Sequence, residues 1–308
     1  MYLATFKFNN KIFIGLKLGD NLFRLDKTYT YFTEKLSPIW LKDMLSLIER
    51  EDILSELKEL NEKLQSIITD PDKYNELSKK DIIYKVSDVQ IAAPILNPHK
   101  LICIGLNYKD HCLEQNITIP KNPILFSKFN TAIIGYGDNI IRPRQTEQLD
   151  FEGELAFVIG KKGKNIPIED AMDYIFGYTI CNDVSARDIQ FSDKQWLRGK
   201  SFDTFAPMGP FLVTKDEIED PHNLNIKVTL NKNTMQDSNT KNMIFNIPYL
   251  VNFISNVFPL VPGDVVTTGT PNGVGVFRNP PVFLKEGDKI TIEVEKLGIL
   301  QNTVIMEK

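Results

Sequence analysis

The chain has 308 residues, of which 42% are hydrophobic and 25% are charged, and its formal net charge is −4. These proportions are typical of a globular protein and exclude a disordered chain, which has few apolar residues and a large net charge. Nucleic-acid binding favours an excess of Lys and Arg, and a bilayer span needs about 18 consecutive apolar residues. The sequence has neither, so we expect no nucleic-acid partner and no membrane partner.

Residues 1–95 predict a small N-terminal α+β domain. Apolar and polar residues alternate over residues 2–8 and again over 12–18, which predicts two strands joined by a turn at Asn9-Asn10. Between Pro38 and Ile68 the apolar residues recur at intervals of three and four, which predicts helix. This part contains no cluster of residues suited to chemistry, so we predict a role in packing or dimerisation.

Residues 96–308 predict a separate, β-rich domain. Apolar runs are short here and are separated by Gly, Pro and Asn, a pattern typical of many short strands. The predicted strands are Leu101–Gly105, Glu154–Gly160, Tyr178–Cys181, Phe211–Val213, Ile226–Leu230, Val265–Thr268 and Ile290–Val294. The few segments with a helical pattern are Tyr108–Gln115, Ile168–Ile175 and Pro248–Val257. We therefore predict an α+β, β-rich fold in two domains, 1–95 and 96–308.

The counts of His and Cys limit the kinds of site. Because 40 Asp and Glu accompany only three histidines, any metal is expected among carboxylate oxygens; the histidines are His99, His111 and His222. No disulfide or zinc spacing connects the cysteines, which predicts reduced, buried thiols at Cys103, Cys112 and Cys181. The first residues have neither a signal-peptide nor a transit-peptide pattern. We therefore predict a cytoplasmic location, with an organellar one left open.

Two acidic segments are candidates for a metal site. Glu152 and Glu154 are two residues apart at the start of a predicted strand, so both side chains face the same side. Like charges stay together only if solvent, a proton or a cation separates them. A pair of exposed glutamates at a sheet edge is the alternative. Asp183 follows an apolar strand, where functional groups often collect, although it could also cap a turn or helix.

Further candidates for chemistry are His111, Glu114 and Lys200. His111 and Glu114 are three apart in a predicted helix, and a carboxylate beside an imidazole raises its basicity for general base catalysis. An exposed pair without function is the alternative. Lys200 stands between a Gly and an aromatic run, so it is either partly buried and paired with an anion, or a solvated surface lysine. Residues 263–275 read as a strand that ends in a Gly-rich loop, which is either a plain turn or brings backbone N–H groups close to a ligand carboxylate.

From about Lys100 to Val304 the chain resembles the fumarylacetoacetate hydrolase superfamily. Within it, the resemblance is closest to the fumarylacetoacetate hydrolase domain-containing protein 2 group. Several segments carry the resemblance in the expected order: Gly105–Asn116, Gly160–Lys164, Asp183–Asp188, Lys200–Phe205, Asp220–Leu224 and Gly273–Phe283.

The resemblance implies a distorted β-roll core that binds one Mg²⁺ or Mn²⁺ per chain through Glu152, Glu154 and Asp183. Three carboxylates without a histidine suit these hard cations rather than Zn²⁺. The resemblance also implies three catalytic residues. His111 and Glu114 would move a proton or activate a water, and Lys200 would bind the substrate's carboxylate or the developing enolate. Substrate contacts are implied for Arg187, Gln190 and Thr270.

The activity implied is that of a divalent-metal-dependent enzyme acting on small 2-oxo (di)carboxylic acids through a metal-bound enolate. Oxaloacetate keto–enol tautomerisation is the favoured reaction. The alternatives are C–C hydrolysis of an acylpyruvate of the fumarylpyruvate type and decarboxylation of oxaloacetate. A non-catalytic protein that binds a metal or a 2-oxo acid is a further alternative. The resemblance also implies a homodimer.

Overall fold

The computed structural model of the protein describes residues 1–50 and 52–308. Its strands, in chain order, are β1 Tyr2–Phe8, β2 Lys11–Leu18, β3 Asn21–Arg24, β4 Ile83–Lys85, β5 Gln90–Ile91, β6 Leu101–Gly105, β7 Ile124–Ser127, β8 Ile133–Ile134, β9 Asn139–Arg142, β10 Leu149–Asp150, β11 Gly153–Ile159, β12 Ile175–Asn182, β13 Ser185–Ala186, β14 Ala206–Thr214, β15 Asn225–Leu230, β16 Asn233–Asn239, β17 Val265–Thr267, β18 Lys289–Val294 and β19 Gly298–Met306. The α-helices are α1 Leu25–Thr33, α2 Met44–Ile48, α3 Ile53–Ile68, α4 Pro71–Lys79, α5 Lys109–Glu114, α6 Arg187–Ser192, α7 Leu197–Lys200 and α8 Ile247–Val257.

The chain begins with the predicted hairpin. Strands β1 and β2 pair antiparallel, with Phe8 opposite Lys11. Asn9 and Asn10 form the two-residue turn and have φ angles of 48° and 59°. A type I′ hairpin turn has positive φ at both central residues, and Asn tolerates this conformation better than most residues. The local sequence is therefore sufficient to specify this element.

The helical pattern between Pro38 and Ile68 yields the α-helices α2 and α3. Asp43 begins α2, because its side chain accepts a hydrogen bond from the backbone N–H of Ser46 at 2.7 Å. Helix α2 ends at Ile48 and α3 begins at Ile53. Another predicted helix, Ile168–Ile175, forms a 3₁₀ helix over Ile168–Tyr174. Helical periodicity predicts which face is buried, but it does not fix where helices break.

A large mixed sheet joins the N-terminal hairpin to the later strands. Its order is β4-β3-β2-β1-β14-β12-β11-β17-β6-β7, with β5 paired to β1 and β8 to β14. Strand β1 pairs antiparallel with β14 through Tyr2 opposite Val213. The backbone nitrogen of Met1 donates across this seam to Thr214 Oγ1 at 2.6 Å and Glu217 Oε1 at 2.7 Å. The N-terminal segment therefore extends the sheet of the second predicted domain.

A second sheet, of order β16-β15-β18-β19-β9, packs on strands β11, β12 and β14. Every residue of β11 and β12 is buried, because these central strands are covered on both faces. This explains the continuous apolar sequence that follows Glu154. The predicted α+β, β-rich fold is confirmed. Within the described ranges, no helix combines the length and apolar character required to span a membrane.

Candidate active site

Three carboxylates meet where β11 begins and β12 ends. Gly153 on β11 pairs with Asn182 on β12, so Glu152 lies beside Asp183. The backbone N–H of Asp183 donates to the carbonyl of Glu152 at 2.9 Å, which fixes this corner. Carboxylate oxygens of Glu152, Glu154 and Asp183 all lie within 4.8 Å of one another, and all three side chains are buried. The alternative of exposed glutamates at a sheet edge is therefore wrong.

Two buried lysines neutralise part of this negative charge. Lys200 donates through Nζ to Glu152 Oε2 and Asp183 Oδ2, both at 2.8 Å. The Nζ of Lys128 contacts the other oxygen of Asp183 and donates to the carbonyl of Val184 at 2.9 Å. Only 2% of Lys200 is exposed. Lys200 is therefore paired with anions, and the alternative of a solvated lysine is excluded.

Glu154 is the carboxylate that lacks a cationic partner. Across residues 1–50 and 52–308 it forms no ion pair, and its Oε2 accepts a hydrogen bond from the N–H of Gly269 at 2.9 Å. Burial, reinforced by the charges of Asp183 and Glu152, raises the pKa of Glu154 well above its usual value. Burial also opposes ionisation of Glu152, but Lys200 and Arg187 outweigh it and hold the pKa of that carboxyl below its usual value.

These residues fit a divalent metal ion. In the described chain four buried carboxylates face three buried cations, which leaves one negative charge uncompensated near Glu154. The carboxylates belong to Asp150, Glu152, Glu154 and Asp183, and the cations to Lys128, Arg187 and Lys200. An uncompensated buried charge is costly, so the cluster favours an added cation. A donor set made only of carboxylate oxygens is the kind that Mg²⁺ and Mn²⁺ prefer.

His111 lies on α5 in contact with Glu114. The Nδ1 of His111 is 3.0 Å from Glu114 Oε2, and its Nε2 is 2.8 Å from the amide nitrogen of Gln115. Because an amide nitrogen only donates, this pattern assigns the neutral tautomer, with Nδ1–H donating to Glu114. The second oxygen of Glu114 accepts from the N–H of Gly273 at 2.8 Å. The imidazole is buried.

Arg187 and Gln190 reach the cluster from α6. The Nε of Arg187 donates to Asp150 Oδ2 at 2.9 Å, and Nη1 lies 2.7 Å from Glu152 Oε1 and donates to Gln190 Oε1 at 3.0 Å. Within the described part of the chain, the buried Nη2 has no hydrogen-bond partner. A buried donor without a partner is costly. This nitrogen is therefore available to an anionic ligand.

Thr270 lies in the Gly-rich loop that follows β17. Its hydroxyl donates to the carbonyl of Gly153 at 3.0 Å and accepts from Gln236 Nε2 at 2.9 Å. Asp150 fixes a later part of the loop by accepting from the N–H of Gly275 at 2.8 Å. The loop is thus fastened to the strand that carries the carboxylates and is more than a plain turn.

Ion pairs and side-chain hydrogen bonds link Glu152, Asp183, Lys200, Arg187 and Gln190, and Glu154 lies in the same carboxylate cluster. The His111–Glu114 pair and Thr270 reach this region through backbone groups, the N–H of Gly273 and the carbonyl of Gly153. His99 and His222 bond elsewhere, to Glu49 and to the backbone of Ile247. Sequence reasoning missed Lys128, Asp150 and Gln236. For Asp150 a signal existed, because it continues the two-residue period of the glutamates. The other two come from distant strands or loops and carry no local signal.

Known proteins resemble this chain in sequence. Residues 100–305 match the family described as "Fumarylacetoacetate (FAA) hydrolase C-terminal". "Oxaloacetate tautomerase fahd2, mitochondrial" from Xenopus laevis is 54% identical over 231 residues, which cover 74% of this chain and 72% of that protein. "Oxaloacetate tautomerase FAHD2A, mitochondrial" from Homo sapiens is 52% identical over 221 residues, covering 71% of this chain and 70% of that protein.

These names correct one prediction. Both relatives are named as mitochondrial proteins, so the predicted cytoplasmic location is wrong. A globular composition and buried, reduced thiols are compatible with any reducing compartment. They do not distinguish one reducing compartment from another, which is why the prediction failed.

Solved structures resemble the chain over its full length. The fumarylacetoacetate hydrolase from Exiguobacterium antarcticum has a TM-score of 0.80 and 32% identity, covering 100% of both chains. The maleylpyruvate hydrolase from Sphingobium sp. SYK-6, in complex with manganese (II) ion and pyruvate, has a TM-score of 0.76 and 27% identity, again covering 100% of both chains. The predicted fumarylacetoacetate hydrolase-like fold is confirmed. With the sequence match over residues 100–305, the chain belongs to the fumarylacetoacetate hydrolase family.

Proposed function

We propose that this protein is a divalent-metal-dependent oxaloacetate keto–enol tautomerase. The observation that carries the proposal is a buried carboxylate cluster, short of one cation, beside a neutral histidine held by a glutamate. Relatives more than half identical over most of the chain bear the name oxaloacetate tautomerase, which supports the choice of reaction.

In the proposal, Glu152, Glu154 and Asp183 hold one Mg²⁺ or Mn²⁺. When bound, such an ion supplies a Lewis acid that withdraws electrons from the 2-oxo group and favours the enolate. The Sphingobium protein with manganese and pyruvate supports a divalent ion and a 2-oxo acid as ligands of this fold.

Tautomerisation moves one proton between C3 of oxaloacetate and the oxygen on C2. The neutral imidazole of His111 is the base that removes the C3 proton and, as the imidazolium, returns a proton. Glu114 keeps the proton on Nδ1, which makes Nε2 the basic nitrogen once the substrate displaces the amide of Gln115 that donates to it. The ammonium of Lys200 stabilises negative charge that develops on oxygen. The free Nη2 of Arg187 binds a carboxylate of the substrate, and Gln190 orients that arginine.

C–C hydrolysis of an acylpyruvate is the second candidate function, because one protein of similar structure is a maleylpyruvate hydrolase. Hydrolysis needs a positioned water in addition to a proton carrier, whereas tautomerisation needs only the proton carrier. The tautomerase relatives are 54% and 52% identical to this chain, against 27% for that hydrolase. We therefore favour the tautomerase.

The experiment is a substrate panel of oxaloacetate, acetylpyruvate and fumarylpyruvate with Mg²⁺ or Mn²⁺. Enol absorbance, pyruvate and CO₂ are followed separately, because each reports a different reaction. The tautomerase predicts accelerated loss of enol absorbance from oxaloacetate without pyruvate or CO₂. Faster release of pyruvate from an acylpyruvate than exchange of oxaloacetate supports the hydrolase instead.

A further inference from the structure

Gln236 connects the two sheets at the candidate site. It lies on β16, which belongs to the five-stranded sheet, and only 1% of it is exposed. Its Oε1 accepts a hydrogen bond from the backbone N–H of Gly153 at 3.0 Å. Gly153 separates Glu152 from Glu154, so this bond fixes the peptide that connects two of the proposed metal ligands.

The other end of the same amide group, its nitrogen, holds the Gly-rich loop. Nε2 donates to Thr270 Oγ1 at 2.9 Å and to the carbonyl of Pro271 at 2.7 Å. The Thr270 hydroxyl donates in turn to the carbonyl of Gly153 at 3.0 Å. Gln236, Thr270 and Gly153 therefore form a closed ring of hydrogen bonds.

We infer that Gln236 is a positioning residue that keeps the metal-binding strand and the substrate loop in register. The inference rests on the proposed function, in which Glu152 and Glu154 hold the metal and Thr270 borders the substrate. A side-chain amide suits this position because it accepts from one segment and donates to the other at once. A carboxylate only accepts, and an apolar side chain does neither. Residues that orient metal ligands in this way commonly change metal affinity when they are altered.

Close packing around Gly153 makes its hydrogen bond with Gln236 sensitive to substitution. A Cβ at Gly153 would lie 2.4 Å from Cγ2 of Val228, so the backbone approaches the second sheet closely. The approach places the N–H of Gly153 within reach of Gln236. Without the amide, the buried N–H of Gly153 would lose its hydrogen-bond partner, which favours a shift of the strand.

The test compares Gln236→Met with a matched control. Methionine has a similar length and no polar atoms able to replace the amide. Asn302→Leu removes another buried amide of the five-stranded sheet, which donates at 2.8 Å to the carbonyls of Gly135 and Asp138. Both variants are expected to lower the unfolding temperature. Only Gln236→Met is expected to weaken Mn²⁺ binding, and oxalate binding to the Mn²⁺-loaded protein, by about tenfold or more.

A second variant, Gln236→Glu, separates the two halves of the ring and guards against misfolding of the first. Glutamate can still accept from Gly153 but opposes the carbonyl of Pro271. We expect Mn²⁺ affinity within about threefold of the wild type and oxalate affinity reduced about tenfold. Mn²⁺ affinity is measured from the spectrum of free Mn²⁺, and oxalate affinity by calorimetry.

The outcomes separate the two claims. Unchanged affinities for both probes in both Gln236 variants refute the positioning role and leave the proposed function intact. Equal losses of affinity in Asn302→Leu also refute it, because general destabilisation would then explain the effect. A wild-type protein that binds neither Mn²⁺ nor oxalate refutes the proposed function, and the inference falls with it.

Discussion

Replacing Glu154 by Gln should stabilise the metal-free protein while abolishing metal binding. Glu154 is 1% exposed and has no cationic partner among the described residues, and burial raises its pKa well above the usual 4.5. The unfolded chain ionises this carboxyl freely, so the folded state is penalised at neutral pH. Glutamine has the same shape, and its oxygen can still accept the hydrogen bond from the N–H of Gly269.

The penalty has an upper limit, because the folded protein can protonate the carboxyl instead of burying its charge. Neutral pH lies about 2.5 pH units above the usual pKa of 4.5, and each unit corresponds to about 1.4 kcal/mol, which gives a limit of about 3 kcal/mol at pH 7. A raised pKa means that the folded state binds more protons than the unfolded state. The contribution of Glu154 to the stability of the metal-free wild type is therefore full below about pH 4.5 and is lost as the pH rises toward the folded-state pKa.

The assay is urea unfolding of EDTA-treated wild type and Glu154→Gln between about pH 5 and pH 8. The variant should be more stable at pH 7 by up to about 3 kcal/mol, and its stability should fall less as the pH rises. Glu293→Gln, which alters an exposed glutamate on β18, is the matched control and should have no such effect. Equal stabilities of Glu154→Gln and wild type at pH 7 would refute the reasoning, since the charge would then be compensated already.

Two further predictions concern stability. Lys200→Met leaves Glu152 and Asp183 without the ammonium that contacts both. In urea titrations, this variant should lower the free energy of unfolding of the metal-free protein by about 3–5 kcal/mol. A loss below about 1 kcal/mol would mean that the two ion pairs contribute little. The Nε2 of His222 accepts a hydrogen bond from the N–H of Ile247 at 3.1 Å, and burial lowers the pKa of this histidine. The folded state therefore binds fewer protons than the unfolded state and loses stability as the pH falls through about 6.5. His222→Gln keeps an acceptor but does not ionise, so its unfolding temperature should fall less than that of the wild type from about pH 7.5 to 5.5; parallel profiles for the two proteins would contradict this.

A short-range pattern predicted one part of the site. Glu152 and Glu154 share a side because side chains alternate along a strand. That Asp183 joins them was implied only by the resemblance to a family; it follows β12, the strand paired with β11. The same period of two extends to Asp150. The hairpin at Asn9-Asn10 was equally local, since the turn residues themselves supply the positive φ angles.

Contacts between distant segments could not be predicted in this way. Lys128 meets Asp183 across 55 residues of sequence, and Gln236 meets Gly153 across 83. Neither residue is marked by periodicity or spacing, because its partner is set by the way the strands assemble. The resemblance to a family supplied roles for the nine site residues, and those roles stay predictions. So do the division into domains at residue 95 and the homodimer.

The most direct test of the account is the rate of enol–keto exchange of oxaloacetate with Mg²⁺, measured for wild type, His111→Ala and buffer alone. The account predicts rapid exchange by the wild type, no exchange above buffer by His111→Ala, and loss of activity when EDTA removes the metal. Exchange by the wild type no faster than buffer with Mg²⁺, or full activity of His111→Ala, would contradict it.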